Sequence, residues 1–163
     1  MVVSKVWGHI PIRSMTVVTH KGSVIPERID ATLDPAHEDT DNKVRDDDLR
    51  SVTYFDVAHY PTMTFRSKSI KPSGANDFSV LGDLTIKNVT KPVTLPIHVE
   101  GRVPNGEGSV RVGYSGTLHI DRRDFGIIDS RLAAANVLLV GYDVAIGLTA
   151  EVTSDDPSVR IPK

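Results

Sequence analysis

The sequence predicts an all-β fold, an antiparallel meander curled into a closed or nearly closed barrel, with one or two short helices. Three observations predict it. From residue 62 onward the chain reads almost entirely as strand, with apolar and polar residues alternating, as in Phe78, Val80, Gly82, Leu84 and Ile86 against Asp83, Thr85 and Lys87, and a period of two places each apolar set on one face of a strand. Polar turn clusters separate the runs, among them Lys71-Pro72-Ser73-Gly74-Ala75-Asn76 and Pro104-Asn105-Gly106-Glu107-Gly108. The strands so delimited are long, about 9–13 residues, and joined by short turns, which favours a barrel over a flat sheet.

Residues 1–33 read as a hairpin. Met15, Val17 and Val18 precede the turn pair Lys21-Gly22, and Ile29, Ala31 and Leu33 share one face beyond it; Pro11 and Pro26 belong at strand starts, edges or bulges. Residues 34–60 break the pattern. Asn42 is a plausible N-cap for a short helix over 43–51, with a second turn over 52–56. The run Asp46-Asp47-Asp48 invites a metal reading, but consecutive helical side chains point about 100° apart, so a solvated face is expected. Beyond it come Met63, Phe65 and Ser67, then the Phe78 strand, in which Gly82 permits a bulge or bend. A turn is placed at Asn88-Val89-Thr90, followed by Val93, Leu95, Ile97 and Val99. Val110, Val112, Tyr114, Gly116, Leu118 and Ile120 form another strand, residues 121–135 are irregular or briefly helical, and the last strand runs from about 138 to 152. The expected organisation is one domain over 1–153 and a loose tail over 154–163.

The chain has 163 residues, 39% hydrophobic and 25% charged, with a net charge of −2. That suits a single domain and supplies no general attraction to nucleic acid. The absence of cysteine removes disulfides, thiolate metal sites and cysteine nucleophiles. No run reaches the roughly 18 apolar residues of a membrane span, so no stable membrane insertion is expected. The N-terminus lacks an apolar signal core and a small-residue cleavage site. As written the chain is expected to be cytoplasmic, and periplasmic or secreted if its N-terminus is incomplete.

The inward residues are mostly Val, Leu and Ile, with Gly82, Gly116 and Ala150 among them. Side chains so small fill a long barrel poorly, and a long apolar cavity is expected. The expected wall comprises Phe55, Met63, Phe65, Phe78, Val80, Leu84, Ile86, Val93, Leu95, Ile97, Val112, Tyr114, Leu118, Val144, Ile146 and Leu148. Trp7 is weighed as a further pore-lining or core residue.

Several motifs resemble the YceI-like family of lipocalin-like barrels: Asp48-Leu49-Arg50-Ser51, the stretch from Phe55 through His59-Tyr60-Pro61 to Phe65, and the block from Gly82-Asp83-Leu84-Thr85 to Val89-Thr90-Lys91-Pro92-Val93. Arg123-Asp124-Phe125-Gly126 and Val140-Gly141-Tyr142-Asp143 follow in family order. The resemblance implies an extended eight-stranded antiparallel barrel whose pore takes a polyprenyl lipid or isoprenoid quinone, with links to transport, storage or stress response in bacteria. It implies no shared catalytic set and no cofactor beyond the bound lipid. The usual opening strand of the family does not appear ahead of Val3-Ser4-Lys5-Val6-Trp7-Gly8: either the start is misassigned or truncated, or the barrel closes one strand short, in which case an unpaired edge is expected to offer a homodimer contact.

Chemistry-bearing residues give two rival readings. His59 beside Asp56 admits a hydrolase-like site at the barrel mouth, although adjacency before a proline favours a structural role. A solid-core interaction module is the other. Arg123-Asp124 is read as an ion pair fixing a corner at Gly126 rather than a headgroup site. Inner-wall charges such as Leu84→Arg or Ile146→Arg are expected to abolish lipid uptake and harm folding.

Overall fold

The computed structural model describes residues 5–105, 108–129 and 141–155. Seven strands form one sheet in chain order: β1 (Ile12–Thr19), β2 (Pro26–Leu33), β3 (Met63–Pro72), β4 (Asp77–Ile86), β5 (Val89–Pro104), β6 (Val110–Asp121) and β7 (Asp143–Ser154). Every neighbouring pair is antiparallel. Six successive reversals leave β1 and β7 pointing the same way, and among the described residues neither pairs with the other. The described residues thus form a curled half-barrel of seven strands.

Local chemistry sets most boundaries. Gly22 takes φ 80° in the β1–β2 turn, a conformation that costs glycine little, and Pro26 opens β2. The β4–β5 turn is tighter than the sequence reading placed it. Ile86 pairs directly with Val89, so Lys87 and Asn88 make a two-residue loop, with Lys87 at φ 56° as such hairpins require. The irregularity expected at Gly82 lies on the facing strand, where the β3 register shifts between Ser67 and Ser69. Gly82 serves a different purpose: a Cβ there would sit 2.5 Å from Phe65 Cζ, so its bareness lets the Phe65 ring lie against β4.

Two longer connections lie at one end of the sheet, here called the helix end. Between β2 and β3 lie a 3₁₀ turn (Pro35–His37), helix α1 (Lys43–Arg50) and a series of turns to residue 59. Asn42 caps α1 as its side chain accepts from Arg45 N at 3.1 Å. The three aspartates do not form one solvated face. Asp46 is buried and accepts from Thr40 N (3.0 Å) and Thr40 Oγ1 (2.5 Å), because the chain before α1 folds back over the first turn of the helix. Asp47 meets Lys43 and Arg50 outside. A buried Glu38 carboxylate accepts from Arg50 at 3.1 Å, and burial raises its pKa.

Between β6 and β7, a 3₁₀ turn (Arg122–Phe125) ends on Gly126 at φ 73°. The corner is fixed by a different pair from the one expected. Arg123 meets Asp121, not Asp124, and lies 4.1 Å over the Tyr142 ring. The buried guanidinium is Arg122, which donates to the carbonyls of Gly141 (2.9 Å), Ile127 (2.7 Å) and Asp129 (2.7 Å). Its five donors in a planar fork suit several carbonyls at once. Trp7 is neither core nor lining: it is 77% exposed. The start expected for the last strand, near 138, lies outside the described residues, as do 156–163; Ser154 belongs to β7 rather than to a loose tail.

Candidate functional site: the inner wall of the half-barrel

The inner wall divides into a packed half and an uncovered half. Toward the end formed by the β1–β2, β3–β4 and β5–β6 turns, Phe78, Val80, Ile97, Val99, Val110, Val112 and Tyr114 are all buried. Phe78 meets Tyr114 edge to face with ring centroids 6.1 Å apart, a favoured aromatic geometry. The Tyr114 hydroxyl donates to Val24 O at 2.7 Å, tying the β1–β2 connection to β6. Burial pushes the Tyr114 pKa up to about 12, so the phenol stays a donor across the physiological range. On β3 and β4, Met63, Phe65, Leu84 and Ile86 are buried in one cluster with Tyr54, Phe125 and Ile127 from the two helix-end connections.

Toward the helix end of β5, β6 and β7 the same face is, among the described residues, only partly covered. Val93, Leu95, Leu118, Ile146 and Leu148 are half-buried, and Val144 is exposed. Register holds them side by side: Leu118 pairs with Ile146, Gly116 with Leu148, and Ile120 with Val144. Gly116 is obligatory, because a Cβ would come within 2.4 Å of Pro96 O. Of the sixteen wall positions expected from sequence, fifteen lie on these five strands and Phe55 sits half-buried in the turn after α1. Ile29, Ala31, Leu33 and Ile120 also pack, partly buried, against the core and were missed as lining. The alternation of Ile29, Ala31 and Leu33 was the signal that could have found the first three.

The long apolar cavity expected from sequence is, among the described residues, an open trough. The reason is topological, since nothing described bridges β1 and β7. A recess of about 180 Å³ lies along that seam, lined by Val17, Thr19, Val112, Tyr114 and Val152 among others. A larger one, about 440 Å³, crosses β4 to β7. Its lining mixes Phe78, Ile97 and Leu148 with Asp77, His98, Ser115 and Thr149. His98 pairs with Asp77 at 2.8 Å, and that carboxylate raises the His98 pKa.

The His59–Asp56 pair is real but local. His59 Nδ1 lies 2.8 Å from Asp56 Oδ1, the imidazole is 74% exposed, and Asp56 sits at φ 49° with its carbonyl accepting from His59 N and Tyr60 N. The pair thus staples a turn. Among the described residues no three His, Asp or Glu side chains converge as a metal site would require.

The comparisons agree with this architecture. A YceI-like domain model matches residues 1–152. The chain belongs to the YceI-like family. It is 37% identical to Protein YceI of Escherichia coli over 101 residues, 62% of this chain and 52% of that protein. The chain spans about half the length of the curated relatives it matches. Among solved YceI-like folds, a Campylobacter jejuni YceI protein superposes with a TM-score of 0.80 at 24% identity, covering 94% of this chain and 88% of the other. BcnA of Burkholderia cenocepacia gives a TM-score of 0.68 at 27% identity, covering 86% and 82%.

Proposed function

We propose that this YceI-like protein binds the tail of an isoprenoid lipid, a polyprenyl chain or an isoprenoid quinone, and carries, stores or sequesters it without a catalytic step. The observation that supports this reading is the uncovered half of the inner wall, where Leu95, Leu118, Ile146 and Leu148 lie side by side and remain half-exposed. These side chains pack against the core on one side and remain partly exposed on the other, and apolar groups held so by a rigid sheet are a surface that an apolar ligand completes.

The driving force is burial. A tail that removes about 300 Å² of apolar surface from water gains roughly 8 kcal/mol at 25 cal/mol per Å². Association costs on the order of 4–15 kcal/mol in lost freedom. Short tails therefore bind weakly, and affinity grows with tail length until the trough is filled. With no polar group required in the trough, the reading also gives wide tolerance among headgroups.

The test is mass spectrometry of an organic extract of the purified protein, followed by uptake of an added isoprenoid quinone. The reading predicts a co-purifying isoprenoid or saturable uptake near one per chain. A protein that is empty and ignores the added quinone would overturn it. The rival reading, a hydrolase-like site at His59, predicts that His59→Ala abolishes an activity; here that variant leaves quinone uptake unchanged.

A further inference from the structure

Large apolar side chains in water are unevenly distributed on this molecule. Among the described residues, six are more than half exposed: Val6 (55%), Trp7 (77%), Val44 (81%), Val52 (69%), Val103 (63%) and Ile128 (69%). All but Val103 belong to the helix end. They come from four separate pieces of chain: the segment before β1, helix α1, the turn after it, and the connection after β6.

Contacts between these pieces hold the five on one cap. His9 pairs with Asp39 through two backbone bonds (2.8 and 2.9 Å), fixing Val6 and Trp7 beside the approach to α1. Arg45 on α1 reaches Thr40 Oγ1 at 2.8 Å. The Tyr54 hydroxyl donates to Asp129 at 2.5 Å, joining the Val52 turn to Ile128. Lys87, from the β4–β5 turn, reaches Val52 O at 3.4 Å.

We infer that this cap is a membrane-docking surface, which sets the helix end of the trough against the interfacial region of a lipid bilayer. The pattern fits a fluid partner. The apolar groups are separate knobs set among polar side chains rather than one groove, so a soft surface can surround each of them. A tryptophan, with an apolar body and one polar N–H, favours the headgroup level of a bilayer. The uncovered wall residues Val93, Leu118 and Val144 lie toward the same end of their strands, so docking there presents the trough to lipid. The cap has no excess of basic groups, since Asp39, Asp41, Asp47 and Asp48 share it with Lys43, Arg45, Arg50 and Lys87. Docking is therefore driven by apolar insertion and is reversible, as a few shallow side chains hold a protein far less firmly than a spanning segment.

The experiment uses vesicles of phosphatidylcholine with no isoprenoid, so its result stands apart from the cargo reading. Trp7 is the single tryptophan of the chain and reports directly. The inference predicts a blue shift of Trp7 emission on adding vesicles, quenching by brominated acyl chains, and little change with salt or added anionic lipid. The double variant Val44→Asp with Val52→Asp should lower vesicle partitioning at least about tenfold and leave uptake of a short-chain isoprenoid quinone from solution unchanged. Neither change threatens the fold, because both sites are exposed and an aspartate in the first turn of α1 suits the helix dipole. Unchanged Trp7 emission, or wild-type partitioning by the double variant, would overturn the inference. So would a dimer formed without vesicles that the double variant dissociates, which would make the cap a contact between copies of this chain.

Discussion

Ile146→Arg and Leu84→Arg should behave differently, although alternation alone makes the two residues equivalent. Leu84 is 8% exposed within the main cluster, beside Phe65 in the β3–β4 register. Replacing it forfeits about 2–3 kcal/mol of apolar burial and forces a guanidinium among apolar groups, which costs several kcal/mol more. The sum approaches the 5–15 kcal/mol that holds a typical domain together, so Leu84→Arg should be largely unfolded or insoluble. Ile146 is half-buried on β7 opposite Leu118, in the uncovered part of the wall. An arginine there can lay its methylenes along the wall and keep its head in water, at a stability cost of about 1 kcal/mol. It also places a charge where the tail is proposed to lie. Urea unfolding and quinone titration on both variants separate the effects: Ile146→Arg should fold with a nearly unchanged midpoint and bind at least about tenfold more weakly. A folded Ile146→Arg variant with wild-type affinity would refute the placement of the tail. A fully stable Leu84→Arg variant would refute the division of the wall into packed and uncovered halves.

Further predictions concern the corner after β6. Arg122→Ala strips donors from three carbonyls around a buried position and should destabilise by roughly 3 kcal/mol in urea unfolding, with Arg122→Lys recovering only part, since one ammonium cannot reproduce the planar fork. Nearby, hydrogen bonding from Arg123 holds the Asp121 carboxyl at about 2, below its ordinary 3.8. A folded-state pKa that is depressed stabilises the fold above the ordinary value, and the contribution is lost as pH falls from near 4 through 2. Carboxyl-carbon NMR titration should place the Asp121 midpoint near 2, and Arg123→Ala should return it toward the usual carboxylate range.

Much of the fold was legible because alternation and turn chemistry act locally. The α1 cap at Asn42, the Gly22 turn and the inward sets of β3 to β7 follow from residue types and their spacing. Features that depend on distant partners were not legible. Gly82 reads as a bulge site in its own strand, yet it is bare because Phe65 lies across it and the bulge falls on β3. Arg122 and Arg123 are adjacent arginines in a turn, and only the carbonyls of Ile127, Asp129 and Gly141 decide which is buried. Asp46 looks like Asp47 and Asp48 until the chain before α1 folds over it. At the site, periodicity identified the inner face but not which part of it is covered. That depends on what the connections after β2 and β6 lay over the sheet: Tyr54, Phe125 and Ile127 from them join the cluster on β3 and β4, and among the described residues the wall at the helix end of β5 to β7 stays half-buried. Trp7 was misread for a related reason: aromatic residues usually bury, and nothing local marks this one as exposed.

The most direct test of the account is a methyl NMR titration of the protein with an isoprenoid quinone. Saturable shifts are predicted for Leu95, Leu118, Ile146 and Leu148 at the helix end of the wall, with Val99, Val110 and Val112 in the packed half nearly silent. Shifts confined to the packed half, to the outer face, or to no methyl group at all would contradict it.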